Sequence, residues 1–143
     1  MSTAWNRKEL WRKFGANFLV EISRHEEPAR FPSGCYDEPG PHRWCVYAYI
    51  YPKHPHFAAF DGSEDMFQEA ACALPLHAGP SFCRKHLNAK GEVTAYQVGA
   101  DYNHLYDDQF TRSGTPDEAI QVFNDADQLF ERLSQIGQRE GSA

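Results

Sequence analysis

Arg43-Trp44-Cys45-Val46-Tyr47-Ala48-Tyr49-Ile50-Tyr51 decides the fold. Trp44, Val46, Ala48 and Ile50 alternate with Cys45, Tyr47, Tyr49 and Tyr51, so an extended backbone puts the first set on one face and the second on the other. Nearly every residue here favours a pleated conformation, and we read the stretch as the central strand of a sheet. Its tyrosine face has two uses: a groove for a planar ligand, or packing with the hydroxyls at the rim. Pro52 and Pro55 end the strand, and Lys53-His54-Pro55-His56-Phe57 forms a basic corner.

Outward from this strand, Asn17 to Arg24 alternates Phe18, Val20 and Ile22 with Leu19, Glu21 and Ser23, the pattern of a half-buried strand. Residues 3–13 place Trp5, Leu10 and Trp11 among charges at a spacing that predicts a short amphipathic helix. The proline- and glycine-rich run from His25 to His42 predicts a long loop. On the C-terminal side, Ser63 to Leu74 has a 3.6-residue apolar period and predicts a helix stopped by Pro75. Ser81 to Leu87 and Glu92 to Val98 read as a hairpin around Asn88 to Gly91. Thr115-Pro116-Asp117-Glu118 is a capping box. The stripe Ala119, Val122, Phe123, Ala126, Leu129, Phe130, Leu133 and Ile136 follows it, and Gly137 marks the predicted stop. The fold expected is α+β: a single domain over residues 1–137, an antiparallel sheet with the long C-terminal helix on one face, and a flexible tail at 138–143.

The chain has 143 residues and a net charge of −6, with no long run of Lys or Arg, so nucleic-acid binding has little electrostatic support. Its four cysteines show no CxxC spacing, and the N-terminus lacks the apolar core of a signal peptide. Reduced thiols in a cytoplasmic protein are the expectation. No apolar run approaches the roughly 20 residues of a membrane span. Composition leaves self-association into a homo-oligomer open.

Most of the chemistry-bearing residues lie between Leu76 and Asp108. His77, Asp101, His104 and Asp108 combine imidazole and carboxylate donors that suit zinc or manganese, with Asp101 and His104 in an i, i+3 pair. Two other readings stand beside a divalent metal. In one, Asp101 caps a turn and the histidines bond backbone groups. In the other, a carboxylate orients a histidine as general base, with His77, Asp101 and His104 the catalytic candidates. No nucleophile elbow, P-loop or cysteine nucleophile motif is present. Tyr47, Tyr49, His54, His56, His77, Arg84, Asp101, His104 and Arg112 together make the candidate ligand-binding set.

The blocks Leu76-His77-Ala78-Gly79-Pro80-Ser81 and Val98-Gly99-Ala100-Asp101-Tyr102-Asn103-His104-Leu105-Tyr106-Asp107 resemble a group of small uncharacterised phage and prophage proteins. That group carries a His-Gly-Gly-x-Thr block followed by a Gly-x-Asp-x-x-His-x-x-Asp block. Ala78 and Ser81 stand where it has glycine and threonine. The resemblance extends to residues 43–57 and the closing helix. The resemblance implies a phage context, and with the small single domain and the aromatic, histidine-rich surface the expectation is an accessory, counter-defence protein in the bacterial host cytoplasm that binds a small nucleotide-like ligand or a host defence protein. A metal-dependent hydrolase using the His/Asp residues is the alternative function, and a structural interaction module a third.

Overall fold

The structure, a computed structural model, describes the backbone of residues 8–27, 40–104 and 107–141, and the side chains of all of these except 108 and 139–141. Five antiparallel strands form one sheet: β1 (Lys8–Gly15), β2 (Phe18–Glu26), β3 (His42–Ile50), β4 (Phe82–Leu87) and β5 (Val93–Asp101). Their order is β1-β2-β3-β5-β4, which puts the Trp44 strand at the centre. Among the described residues, a 3-10 helix (Pro55–Ala59) and three α-helices complete the fold: α1 (Glu69–Cys72), α2 (Asp108–Thr111) and the long α3 (Ile120–Gly141). The α+β class and the helix-covered sheet agree with the sequence reading. No helix among the described residues is long and apolar enough to cross a membrane.

The covered face carries the core. Phe18, Val20, Ile22, Trp44, Val46, Ala48, Ile50 and Val98 are buried beneath Val122, Ala126, Leu129 and Leu133 of α3. Trp44 stacks on Trp11 at 5.6 Å between centroids and meets the edge of Phe123 at 5.8 Å. Its indole N–H donates to the Ser113 carbonyl at 2.8 Å. The ring's one polar atom is thereby satisfied inside an apolar layer.

Three expected elements differ. The predicted N-terminal helix is strand β1, its residues 3–7 lying outside the described segments. It pairs with β2 from Gly15↔Phe18 to Lys8↔His25 around Ala16-Asn17, where Asn17 takes φ +66°, a conformation asparagine tolerates. Trp11 faces α3, and Lys13 reaches over the Phe130 ring at 4.4 Å. The charges that suggested a solvated helix face instead occupy an edge strand, where they discourage further pairing.

The helix predicted over 63–74 shrinks to Glu69–Cys72. Asp61 accepts from the Ser63 N–H and Asp65 from the Phe67 N–H, both at 2.9 Å. These side chains compete with helical hydrogen bonding and hold the preceding turn. The closing helix, in contrast, continues through Gly137 to Gly141. A glycine stop needs the left-handed conformation, which among the described glycines only Gly62, Gly79 and Gly91 adopt. Of the predicted 25–42 loop, residues 28–39 lie outside the described segments, as do 142 and 143 of the predicted tail.

Beyond the core, Arg24 is 2% exposed and donates to Glu9, Glu26 and the Nδ1 of His42, the last at 2.8 Å. Burial first, and then the Arg24 charge, lower the His42 pKa from its ordinary 6.5, against weaker opposition from Glu26 and Glu118. The folded state therefore prefers neutral His42, so this contribution is complete above pH 6.5 and is lost as pH falls through the lower folded value. We expect the gap in Tm between wild type and His42→Gln to narrow from pH 8 to pH 5. A gap independent of pH contradicts it.

Candidate functional site

The hairpin sets the site geometry. Because β4 begins where β5 ends, the loop before Phe82 meets the loop after Asp101. Ser81 fastens the two: its hydroxyl accepts the Asp101 N–H at 3.0 Å and lies 3.3 Å from Asp101 Oδ2. The Ser81 N–H also donates to the Gly99 carbonyl at 2.9 Å.

Asp107 is the centre of the cluster. It is 4% exposed. His77 Nε2 lies 2.8 Å from its Oδ1, while His104 Nδ1 and the His104 N–H lie 2.8 and 2.9 Å from its Oδ2. Burial works to raise the Asp107 pKa, but hydrogen bonds from the His104 backbone and from both imidazoles outweigh it and hold the carboxyl below its ordinary value. Asp101 Oδ1 lies 3.7 Å from His104 Nδ1. Beneath the cluster, His77 stacks on Tyr102 at 4.3 Å, and the Tyr102 hydroxyl donates to Asp125 Oδ2 at 2.5 Å. Desolvation, followed by the Asp125 hydrogen bond, pushes the Tyr102 phenol strongly upward, so it remains a neutral donor.

One donor atom each from His77, His104 and Asp107 lies within 4.8 Å of the others. Donors about 2.1 Å from a tetrahedral ion stand about 3.4 Å apart, so these side chains need shift by less than about 1 Å to enclose one. The two imidazole nitrogens now share protons with the carboxylate, and a divalent ion would take the place of those protons.

Of the residues singled out in the sequence, the structure gathers His77, Asp101 and His104. The fourth predicted ligand, Asp108, has a side chain outside the described set, and its neighbour Asp107 stands in the centre. Tyr47 and Tyr49 lie on the opposite sheet face from Trp44, in the rows that contain Gly99 and Gln97. Tyr47 meets the edge of Phe82 at 5.4 Å, and burial drives its phenol pKa upward. Arg84 and Arg112 are exposed.

His54 and His56 belong to the scaffold. His54 is 2% exposed, with Nε2 2.9 Å from the Leu133 carbonyl and Nδ1 accepting the His56 N–H at 3.1 Å. His56 Nε2 lies 2.8 Å from the Ala70 carbonyl. The anchor at Leu133 is about 12 Å along α3 from Asp125, taking 1.5 Å per residue, so the basic corner contributes nothing to the His77 cluster.

Sequence reasoning left Asp107 out of the ligand set and missed Tyr102 and Asp125 as its supports. The Asp-x-x-His-x-x-Asp spacing places Asp107 as close to His104 as Asp101 is, a signal that was available. Asp125 had no local signal.

Ala78, beside His77, takes φ +59° and precedes Gly79 at φ +84°. Left-handed backbone costs an alanine about 1–2 kcal/mol, most of which glycine avoids. Ala78→Gly is expected to raise stability by about 0.5–1 kcal/mol and Tm by a few degrees. A lower Tm would show that no strain is stored there.

No family model, curated protein or solved structure matches this chain.

Proposed function

We propose that the working part of this chain is a divalent-metal site with hydrolytic chemistry, held by His77, His104 and Asp107. The observation that carries this reading is the convergence of two imidazoles and a buried carboxylate within 4.8 Å. His77 and His104 keep side-chain exposures of 26% and 39%. Three protein ligands, two of them partly exposed imidazoles, correspond to a catalytic site with an open position, whereas structural zinc sites close with four. A metal there would lower the pKa of bound water and polarise a scissile carbonyl or phosphoryl group. Asp101, with its side chain 43% exposed beside His104, is placed to accept the proton that water releases.

The test is elemental analysis of protein purified without added chelator, paired with melting curves before and after chelation. About one equivalent of zinc or manganese and a lower Tm on chelation are expected. Metal-free protein that takes up neither ion and melts unchanged would end this reading.

The binding reading keeps one specific support. Tyr47 and Tyr49 are half-buried on the sheet face opposite Trp44, where they already contact Phe82 at 5.4 Å and His86 at 5.9 Å, and a nucleotide-like base would have to add to that aromatic row. Native mass spectrometry against a nucleotide pool checks it.

A further inference from the structure

The metal site borders a cleft of about 230 Å³ lined by Pro75, Leu76, His77, Gln121, Asp125 and Gln128. His77 belongs to both. The cleft joins a small apolar wall, Pro75 and Leu76, to two amides and one carboxylate supplied by the first turns of α3. None of these lining residues is a lysine or arginine. Asp125 is held in place from two sides, by the Tyr102 hydroxyl on Oδ2 and by Gln121 Nε2 on Oδ1 at 2.7 Å. Each of its oxygens retains a lone pair for a further donor.

The lining of the cleft favours one of the two substrate classes open to a metal hydrolase. A phosphoester brings at least one negative charge, and sites built for it supply Arg or Lys to meet that charge. Here the cleft beside His77 presents Asp125 with no lysine or arginine in its lining, and Asp101 and Asp107 lie against His104. Gln121 and Gln128 offer amide groups suited to a peptide-like backbone.

We infer that the site hydrolyses an amide whose acyl portion carries a positively charged amino group, with that group seated against Asp125. This rests on the metal-site reading above. In the reaction, water adds through its oxygen to the acyl carbon and gives a proton to Asp101. The C–N bond then breaks, and the nitrogen departs as an amine carrying that proton. The carboxylic acid so formed passes its own proton to the amine, and the products are a carboxylate and an ammonium ion, with no oxidant or second substrate.

Two hydroxamates of matched length test the inference by calorimetry on zinc-loaded protein. β-Alanine hydroxamate carries a cationic amine, and succinic monohydroxamate carries a carboxylate at the same distance from the same metal-binding group. The cationic ligand is expected to bind at least about tenfold more tightly, as an opposite charge within several ångströms warrants. Asp125→Asn should reduce the preference, and Gln128→Lys, at an exposed position, should reverse it. Zinc uptake measured in parallel shows that each variant is folded and loaded. Equal binding, or preference for the anionic ligand, in protein that has taken up zinc overturns the substrate class and leaves the metal site standing. Failure to take up zinc overturns both.

Discussion

Trp44→Ala is expected to destabilise the protein by about 3–5 kcal/mol, the range for emptying a large aromatic site in a packed core. Trp44 is 1% exposed in the central strand, wedged between Trp11 of β1 and Phe123 of α3. Truncation removes the ring that ties an edge strand to the closing helix. It also strands the Ser113 carbonyl that the indole N–H satisfies. Chemical denaturation followed by far-ultraviolet circular dichroism measures the loss. A deficit below about 1 kcal/mol would mean that the aromatic cluster is loosely packed and that the layer described here is wrong.

Asp107→Ala is the second large effect, and it separates stability from chemistry. The substitution removes the acceptor for His77 Nε2, His104 Nδ1 and the His104 N–H together. Hydrogen bonds to an ionised acceptor contribute about 1.5–3 kcal/mol each, but the two imidazoles are partly solvated and recover water. We expect about 2–3 kcal/mol lost in metal-free protein. The rise in Tm that zinc gives the wild type should vanish with the carboxylate. Asp101→Asn, at a partly exposed position, should change metal-free stability by under about 1 kcal/mol while removing the proton acceptor. An Asp107→Ala protein that still gains Tm with zinc would place the ion elsewhere.

The central strand and the closing helix were legible because their signals are local and repetitive. Alternation across residues 43–51 survives any tertiary context, and the stripe from Ala119 to Leu133 is long enough to average out its exceptions. The Thr115 box closes only in part and as a turn ahead of α3, which begins at Ile120: Glu118 N–H reaches the Thr115 hydroxyl at 3.3 Å, and Glu118 Oε1 accepts from that hydroxyl at 3.0 Å. Strand β1 was misread because Trp11 alone marks its buried face, and its neighbours owe their places to partners distant in sequence, Arg24 for Glu9 and Glu21 for Arg12. Likewise, Gly137 carries the residue type of a helix stop without the backbone conformation that stops a helix.

The site was legible in composition and less so in assignment. Glycines, histidines and aspartates between Leu76 and Asp108 announced it, and the hairpin explained why its two halves meet. That Asp107 turns inward after His104 is a property of the packed structure, and neighbouring aspartates are indistinguishable to a spacing argument. Tyr102 and Asp125 act through a contact between β5 and α3 that only the packed structure contains.

The central claim is that His77 and His104 hold one divalent ion with Asp107. X-ray absorption at the zinc edge of the loaded protein measures this most directly, because imidazole rings give a multiple-scattering signature that water and carboxylate lack. The account predicts two imidazole nitrogens at about 2.0–2.1 Å with oxygen ligands completing a four-coordinate shell. It further predicts one imidazole fewer in His77→Ala. A shell of oxygens alone, or a spectrum unchanged by that substitution, would contradict it.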